Sequence, residues 1–196
     1  MRRASINRET LETGIELELN IDQADALPRE IKTGVGFFDH MLVLLAHWSG
    51  MGLRLRSTGD LHVDAHHSLE DVGICLGRAL EEALGDKKGI SRVGWAKVPL
   101  DEALSECVLD ISGRPYLVYT GDHLLPPLIA GQEKDIWREF FKSLAFNSRM
   151  NLHLHFHYGQ NGHHLLEAAF KSLGLALRQA VKIKRENLLS TKGALD

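Results

Sequence analysis

The chain carries one short chemical pattern twice. His66-His67-Ser68-Leu69-Glu70 in the first half and His163-His164-Leu165-Leu166-Glu167 in the second both read His-His-x-x-Glu. Imidazole nitrogens with carboxylate oxygens form a donor set for a divalent transition metal. On a helix, residues i and i+4 share a face. His66 can therefore reach one ion together with Glu70, and His163 can do so with Glu167. His67 and His164 are each turned about 100° from the preceding residue, so each is expected to serve a different ion. Each motif then bridges two sites, and two motifs furnish two similar ones. A lone His-His at a helix start is ordinarily a polar surface feature. Recurrence of all three residues in register is what makes the pattern a metal signature.

The repeat extends beyond the ligands. Between residues 66–80 and 163–177, eight of fifteen positions are identical, and both copies end in Leu-Gly-x-Ala-Leu. Upstream, setting His40 against Glu139 brings Ala46 onto Ala145, Ser49 onto Ser148, Met51 onto Met150, Leu53 onto Leu152 and Leu55 onto Leu154. A two-residue gap then aligns the motifs. A period of about 97–99 residues is too long for a solenoid unit and suits two fused small domains. His40 adds a third imidazole, and its repeat equivalent Glu139 is another possible ligand. Sites with about four protein ligands each leave positions open on a six-coordinate ion, which implies chemistry on a bound substrate. Nitrogen and oxygen donors without thiolate fit manganese, iron or zinc, and six-coordination favours manganese.

Each half contains the elements needed to hold such a motif. Residues 15–21 alternate apolar and polar as a half-buried strand does, and 106–111 are their counterpart. Residues 53–56 and 152–157 alternate likewise. Helices are predicted over 38–47, 66–84, 136–146 and 163–181. Asp64 and Asn161 each lie two residues before a histidine pair and are the expected N-caps, and Gly85 closes the first long helix. The predicted class is α+β: two tandem similar halves, 1–90 and 91–196, each a sheet with two helices, packed as one unit.

Composition bounds the function. The 196 residues are 44% hydrophobic and 25% charged, as in ordinary globular proteins. A net charge of −3 and a pI near 6.4 leave no electrostatic footprint for nucleic acid or an anionic membrane. No apolar run approaches the roughly 20 residues of a membrane span. Residues 1–7 lack the apolar core of a signal peptide, so a cytoplasmic address is expected. Cys75 and Cys107 share no ligand spacing and read as buried thiols. Ten of the eleven histidines fall within residues 40–67 and 153–164. His153, His155 and His157 line one strand face, either as an exposed or site-rimming row or as ligands. His47, His62 and His123 read as non-ligands.

The basic residues point to an anion. Arg92, Arg114, Lys171 and Lys192 lie in or beside glycine-rich or site-proximal segments. Gly113-Arg114-Pro115-Tyr116 reads as a turn presenting a guanidinium. Lys171 lies four residues beyond Glu167, on the metal-facing side. Ser190-Thr191-Lys192-Gly193 offers hydroxyls, an ammonium and a flexible backbone, a phosphate clamp. Taken singly, each of these charges is ordinarily a solvated surface group. No P-loop or GxGxxG occurs, so no nucleotide is implied.

In combination these segments resemble the imidazoleglycerol-phosphate dehydratase family of histidine biosynthesis. The resemblance rests on Gly36-Phe37-Phe38-Asp39-His40-Met41-Leu42, on Thr58-Gly59-Asp60-Leu61-His62-Val63-Asp64-Ala65 with the first motif and Asp71, and on Pro99-Leu100-Asp101-Glu102-Ala103-Leu104. It continues through Asp110-Ile111-Ser112-Gly113-Arg114-Pro115-Tyr116, Gly159-Gln160-Asn161-Gly162 with the second motif and Ala168-Ala169-Phe170-Lys171, and Ser190-Thr191-Lys192-Gly193. These run in order through nearly the whole chain. The resemblance implies two halves like the second domain of ribosomal protein S5, two manganese ions per subunit, and sites completed between subunits of a shell of about 24 copies built from trimers.

The implied reaction removes water from imidazole glycerol phosphate to give imidazole acetol phosphate. Metal bound to the substrate's imidazole favours imidazolate, which helps expel the ring-adjacent hydroxyl, while a carboxylate moves the proton. The implied metal ligands are His40, His66, His67, Glu70, Glu139, His163, His164 and Glu167. Glu12 and Glu167 are the candidates for contact with the reacting diol, and His67 and His164 complete the candidate catalytic set. Arg92, Arg114, Lys171, Ser190 and Lys192 match the family's phosphate-binding positions, and Glu12, His40 and His47 join them as substrate contacts. Three residues depart from the family's pattern. Glu139 stands where many members have a histidine, Trp48 where a histidine is frequent (with His47 beside it as substitute), and Leu44 where glutamine is frequent. Two other classes would use the same ligands: a bimetal hydrolase of a small phosphorylated or amidated molecule, and a metal-storage protein with no substrate.

Overall fold

The structure, a computed structural model, describes residues 2–26, 30–193 and 195. The first half runs β1 (Arg3–Glu9), β2 (Thr13–Asn20), β3 (Ile31–Lys32), α1 (Gly36–Ser49), β4 (Gly52–Gly59) and α2 (His66–Leu84). The second repeats that order as β5 (Val93–Leu100), β6 (Ala103–Asp110), β7 (Tyr116–Thr120), then α3 (Asp135–Asn147), β10 (Asn151–Tyr158) and α4 (Gly162–Ala180). A small hairpin, β8 (Leu128–Ile129) with β9 (Gln132–Glu133), is inserted before α3. The sheets have equivalent orders, β1-β2-β4-β3 and β5-β6-β10-β7. In each, the first three strands are antiparallel and the last pair is parallel.

Alternation sets the faces. Ile15, Leu17 and Leu19 of β2 point inward and are almost wholly buried, while Glu16 points outward. β10 buries Leu152, Leu154 and Phe156 and turns His153 outward. The inward faces are covered by helices: α2 on β1, β2 and β4, α4 on β5, β6 and β10. The helices then pack across the repeat, α1 on α4 and α2 on α3. Phe38 of α1, Phe140 of α3 and Phe170 of α4 meet at the centre, with ring centroids 5.2 and 5.4 Å apart in successive pairs. One cluster of buried side chains draws on both halves.

The strands that the sequence did not mark have physical reasons for being hidden. β1 buries only Ile6. β5 turns small residues inward (Gly94, Ala96, Val98) and exposes Val93 and Trp95, which inverts the usual hydropathy pattern. β7 buries no residue fully. The two histidine motifs also open their helices differently. Asn161 is the N-cap of α4, and its side chain accepts from the His163 N–H at 2.9 Å. Asp64 accepts from the His66 N–H at 2.7 Å, but from one residue outside the N-cap, Ala65. Cys75 and Cys107 are buried free thiols, and burial pushes Cys75 up to about 11.

The repeated Leu-Gly-x-Ala-Leu has a packing role. A Cβ on Gly77 would lie 2.8 Å from the Leu144 carbonyl oxygen, and one on Gly174 would lie 3.0 Å from the Leu45 carbonyl oxygen. Each glycine lets a long helix press against the short helix of the other half. Gly77→Ala is expected to overpack this contact by about 1–3 kcal/mol and lower the melting temperature by several degrees. Gly36→Ala, where a Cβ meets nothing within 4 Å, should stay within about 0.5 kcal/mol of the parent. Thermal denaturation of both variants checks the pair.

Candidate metal centre and anion site

The cross-packed helices decide which ligands meet. His40 lies on α1 and joins the second-half motif, because α1 packs on α4. His40 Nε2 is 3.3 Å and His163 Nε2 3.1 Å from Glu167 Oε2. The ligand atoms of these three residues all lie within 4.8 Å of one another, and no other such trio of His, Cys, Asp or Glu occurs among the described residues. The His163 ring is steadied by Phe37, whose centroid is 4.9 Å away. The other Glu167 oxygen, Oε1, accepts from Lys171 Nζ at 2.7 Å, and the same ammonium lies 5.7 Å from the Trp48 ring centroid. Burial opposes ionisation of Glu167, yet Lys171, His40 and His163 together hold its carboxyl below the usual range. Two imidazoles and an ionised carboxylate converging at one exposed edge fit a divalent transition metal.

The pseudo-equivalent first-half set is looser. His66 Nε2 and Glu70 Oε2 are 3.9 Å apart. Glu139, on α3, is paired with Lys142 at 2.8 Å.

The second histidine of each motif is held from behind. His164 Nδ1 is 2.7 Å from Glu102 Oε2, and His67 Nδ1 is 2.9 Å from Asp60 Oδ2. An ionised carboxylate only accepts, so both Nδ1 atoms carry the proton and both Nε2 atoms keep a lone pair for a metal. Glu12 sits at the tip of the β1–β2 hairpin, more than half exposed, with Oε2 3.8 Å from His67 Nδ1. Its turn is tied by the Thr10 hydroxyl, which accepts from the Glu12 and Thr13 N–H groups at 3.2 and 2.9 Å. The hairpin is docked on α2 by Asp71, which accepts from Arg8 and Thr13.

The basic residues divide into two places. Arg92, Ser112, Arg114, Ser190, Thr191 and Lys192 line one polar cavity of about 130 Å³. Arg92 is oriented there by Asp110, at 2.6 and 2.9 Å, and donates to the Leu189 carbonyl at 2.8 Å. Lys171 stands instead at Glu167. His47 lies against Trp48 and lines an apolar cavity with Leu44. The strand histidines face away from the helices: His155 pairs with Thr120 Oγ1 and His157 with Glu106, each at 2.6 Å.

The model of the family described as imidazoleglycerol-phosphate dehydratase matches residues 33–177. The chain belongs to that family. It is 62% identical over 195 residues to the imidazoleglycerol-phosphate dehydratase of Oleidesulfovibrio alaskensis, covering 100% of this chain and 98% of the relative. The Limosilactobacillus fermentum dehydratase is 52% identical over 197 residues, with 100% of each chain covered. The Pyrococcus furiosus structure, solved in complex with (S)-C348, superposes with a TM-score of 0.83 at 39% identity, covering 97% of this chain and 100% of that one. A Staphylococcus aureus structure gives 0.83 at 34% identity, covering 93% and 99%. The enzyme is accordingly a hydro-lyase, with the α+β duplicated fold of that family. Among the described residues, no helix is long and apolar enough to cross a membrane.

Sequence reasoning passed over Asp60 and Glu102 as site residues. Their signal was spatial: Asp60 follows β4, 7 residues before His67, while Glu102 lies on the β5–β6 turn, 62 residues before His164. The carboxylates behind the histidines also give the metal-free enzyme a pH dependence. The hydrogen bond from His164 is the main reason Glu102 is held down to about 2 from an ordinary 4.5. The bonds to Glu102 and Asp60 hold His164 and His67 above their ordinary 6.5. Raised histidines contribute stability that is complete below 6.5 and lost as pH rises through the folded value. The depressed Glu102 contributes above 4.5 and loses this as pH falls toward about 2. The melting temperature of chelator-treated enzyme should therefore decline as pH rises above 6.5, and the H67N/H164N variant should lack that decline.

Proposed function

We propose that this enzyme dehydrates imidazole glycerol phosphate to imidazole acetol phosphate, using two manganese ions per chain. The observation that carries the reading is the convergence of His40, His163 and Glu167 within 4.8 Å, beside a Lys171 that keeps the carboxylate ionised. One ion is held by that trio. The other would be held by His66 and Glu70 on α2, with Glu139 of the packed helix α3 as a further ligand. His67 and His164, whose Nε2 atoms are left for a metal, would complete sites across subunit boundaries in a shell of about 24 copies. The two halves divide at residues 90 and 91, and the second carries the substrate-binding tail.

When bound, the metal supplies Lewis acidity at the substrate's imidazole and diol. The chain's own residues do the rest. The substrate phosphate binds Arg92, Arg114, Ser190 and Lys192, the groups that line the polar cavity. Arg92 arrives pre-oriented by Asp110, so little side-chain freedom is lost on binding. Lys171, which matches a phosphate-binding position of the family, joins those four, and His47 and His40 are further substrate contacts. Glu12, on its exposed hairpin tip, takes the proton from the carbon that keeps its hydroxyl. The ring-adjacent C–O bond breaks, and the departing hydroxyl takes a proton as water. The resulting enol becomes the ketone. Glu167, with Lys171 2.7 Å from its other oxygen, is the second candidate to contact the diol and carry a proton. The reaction takes place in the cytoplasm.

Enzyme stripped of metal should be inactive and regain turnover with Mn2+, forming a carbonyl product with its phosphate retained. Phosphate release would indicate a hydrolase, and metal uptake without saturable substrate binding a storage protein. H67N and H164N should each abolish turnover and lower manganese content. R92A and K192A should each raise KM at least tenfold, with oligomer size unchanged by light scattering. A silent R92A or K192A would remove the tail from the substrate site.

A further inference from the structure

The two hairpins stand in the same place in the repeat. Leu17 of β2 pairs with Leu55, and Cys107 of β6 pairs with Leu154. Leu55 and Leu154 are repeat equivalents, so Leu17 corresponds to Cys107. The hairpin partners agree: Arg8 faces Ile15 in β1–β2, and Val98 faces Ser105 in β5–β6. Counting back along the strands, Glu12 corresponds to Glu102. β10 carries a bulge between Phe156 and Tyr158 that β4 lacks, so Thr58, opposite Gly14, corresponds to Tyr158, opposite Leu104, and Asp60 corresponds to Gln160. The equivalent glutamates nevertheless behave differently.

In the second half, Glu102 is fully engaged. Its Oε2 accepts from His164 Nδ1 at 2.7 Å, and its Oε1 accepts from the Asn161 and Gln160 N–H groups at 2.9 and 3.2 Å. It thus ties the hairpin to the loop that opens α4. The second half has no carboxylate in the place of Asp60: Gln160 stands there, and its backbone N–H donates to Glu102 instead. In the first half, Asp60 does stand there and takes His67 Nδ1 at 2.9 Å, leaving Glu12 Oε2 at 3.8 Å.

We propose that Asp60 and Glu102 are the positioning residues for the outward-facing histidines, and that Asp60, by holding His67, frees Glu12 to act on the substrate. The duplicated hairpin glutamate has thus split its roles. One copy orients a ligand, and the other moves a proton. This rests on the metal and Glu12 roles proposed above.

The test is Mn2+ titration of metal-stripped enzyme, with free ion read by electron paramagnetic resonance, alongside kcat and KM. E102Q is the discriminating variant. Its amide oxygen keeps the bonds from Gln160 and Asn161, while its NH2 donates to His164 Nδ1 and forces the proton onto Nε2, where no lone pair then remains. One class of manganese site should weaken about 10–100-fold, with the melting temperature unchanged. In D60A, Glu12 can turn to His67. Manganese affinity should then fall less than tenfold, while kcat drops to the level of E12Q and KM holds. E12Q alone should bind manganese as the wild type does, and D60A/E12Q should lose the affinity that D60A keeps. Wild-type manganese binding in E102Q, wild-type kcat in D60A, or equal affinities in D60A and D60A/E12Q would each overturn the inference. A wild-type enzyme that takes up no manganese would instead overturn the metal reading on which it rests.

Discussion

Glu167 is where the two halves of the chain meet chemically. Its carboxylate receives His40 from the first half, His163 from one turn earlier on its own helix, and Lys171 from one turn later. Three donors around one half-buried carboxylate would be a poor arrangement if any were misplaced, because a buried charge is stable only when it is paired. The placement depends on how closely α1 can approach α4. Gly174 sets that distance, since a Cβ there would press on the Leu45 carbonyl and on Trp48. A packing constraint in the core thus fixes the geometry of a site at the surface. The aromatic contacts of Phe37 with Trp137 and with His163 carry the same constraint outward from the core.

Cross-packing also explains why a duplicated chain of this kind does not fall into two independent domains. Each half has a sheet and two helices, but the helices bury their remaining apolar faces against those of the other half. Separating the halves would expose Phe38, Trp137 and Phe140, all wholly buried and in contact across the repeat. At roughly 25 cal/mol per Å² of apolar surface, burial on that scale outweighs any single polar contact at the site. The histidine motifs can therefore sit on an exposed edge, because the stability of the fold comes from elsewhere.

Much of this was legible in the sequence. The His-His-x-x-Glu repeat announced the duplication, the helices that carry the motifs and the i,i+4 pairing of His163 with Glu167. The long helices were located to within a residue at their starts, because their amphipathic period and histidine pairs are strong local signals. Outer strands were not, for β5 turns glycine and alanine inward and Trp95 outward. Nor could one chain reveal that His40 pairs with the second motif. That follows from helix packing between halves, which leaves no periodic trace. The family resemblance supplied the phosphate residues as a set. The structure divides that set, gathering Arg92, Arg114, Ser190 and Lys192 around one cavity and keeping Lys171 at Glu167.

The divergence between the halves follows from the same geometry. A perfect repeat would put a carboxylate behind both outward histidines and leave none free at a hairpin tip. A single difference relieves this: Asp60 stands after β4, where the second half has Gln160 after β10. Asp60 comes from the strand end rather than the hairpin, so it can hold His67 at 2.9 Å while the hairpin tip carries Glu12. Gly159 permits the tight packing of Ala103 and Leu165 beneath the second motif, which in turn seats Glu102 against His164. One half is thereby rigid behind its histidine, with three hydrogen bonds to a single carboxylate. The other keeps an exposed acid, Glu12, 3.8 Å from its own histidine, His67, and the difference lies in backbone and loop positions rather than in the His-His-x-x-Glu motifs themselves.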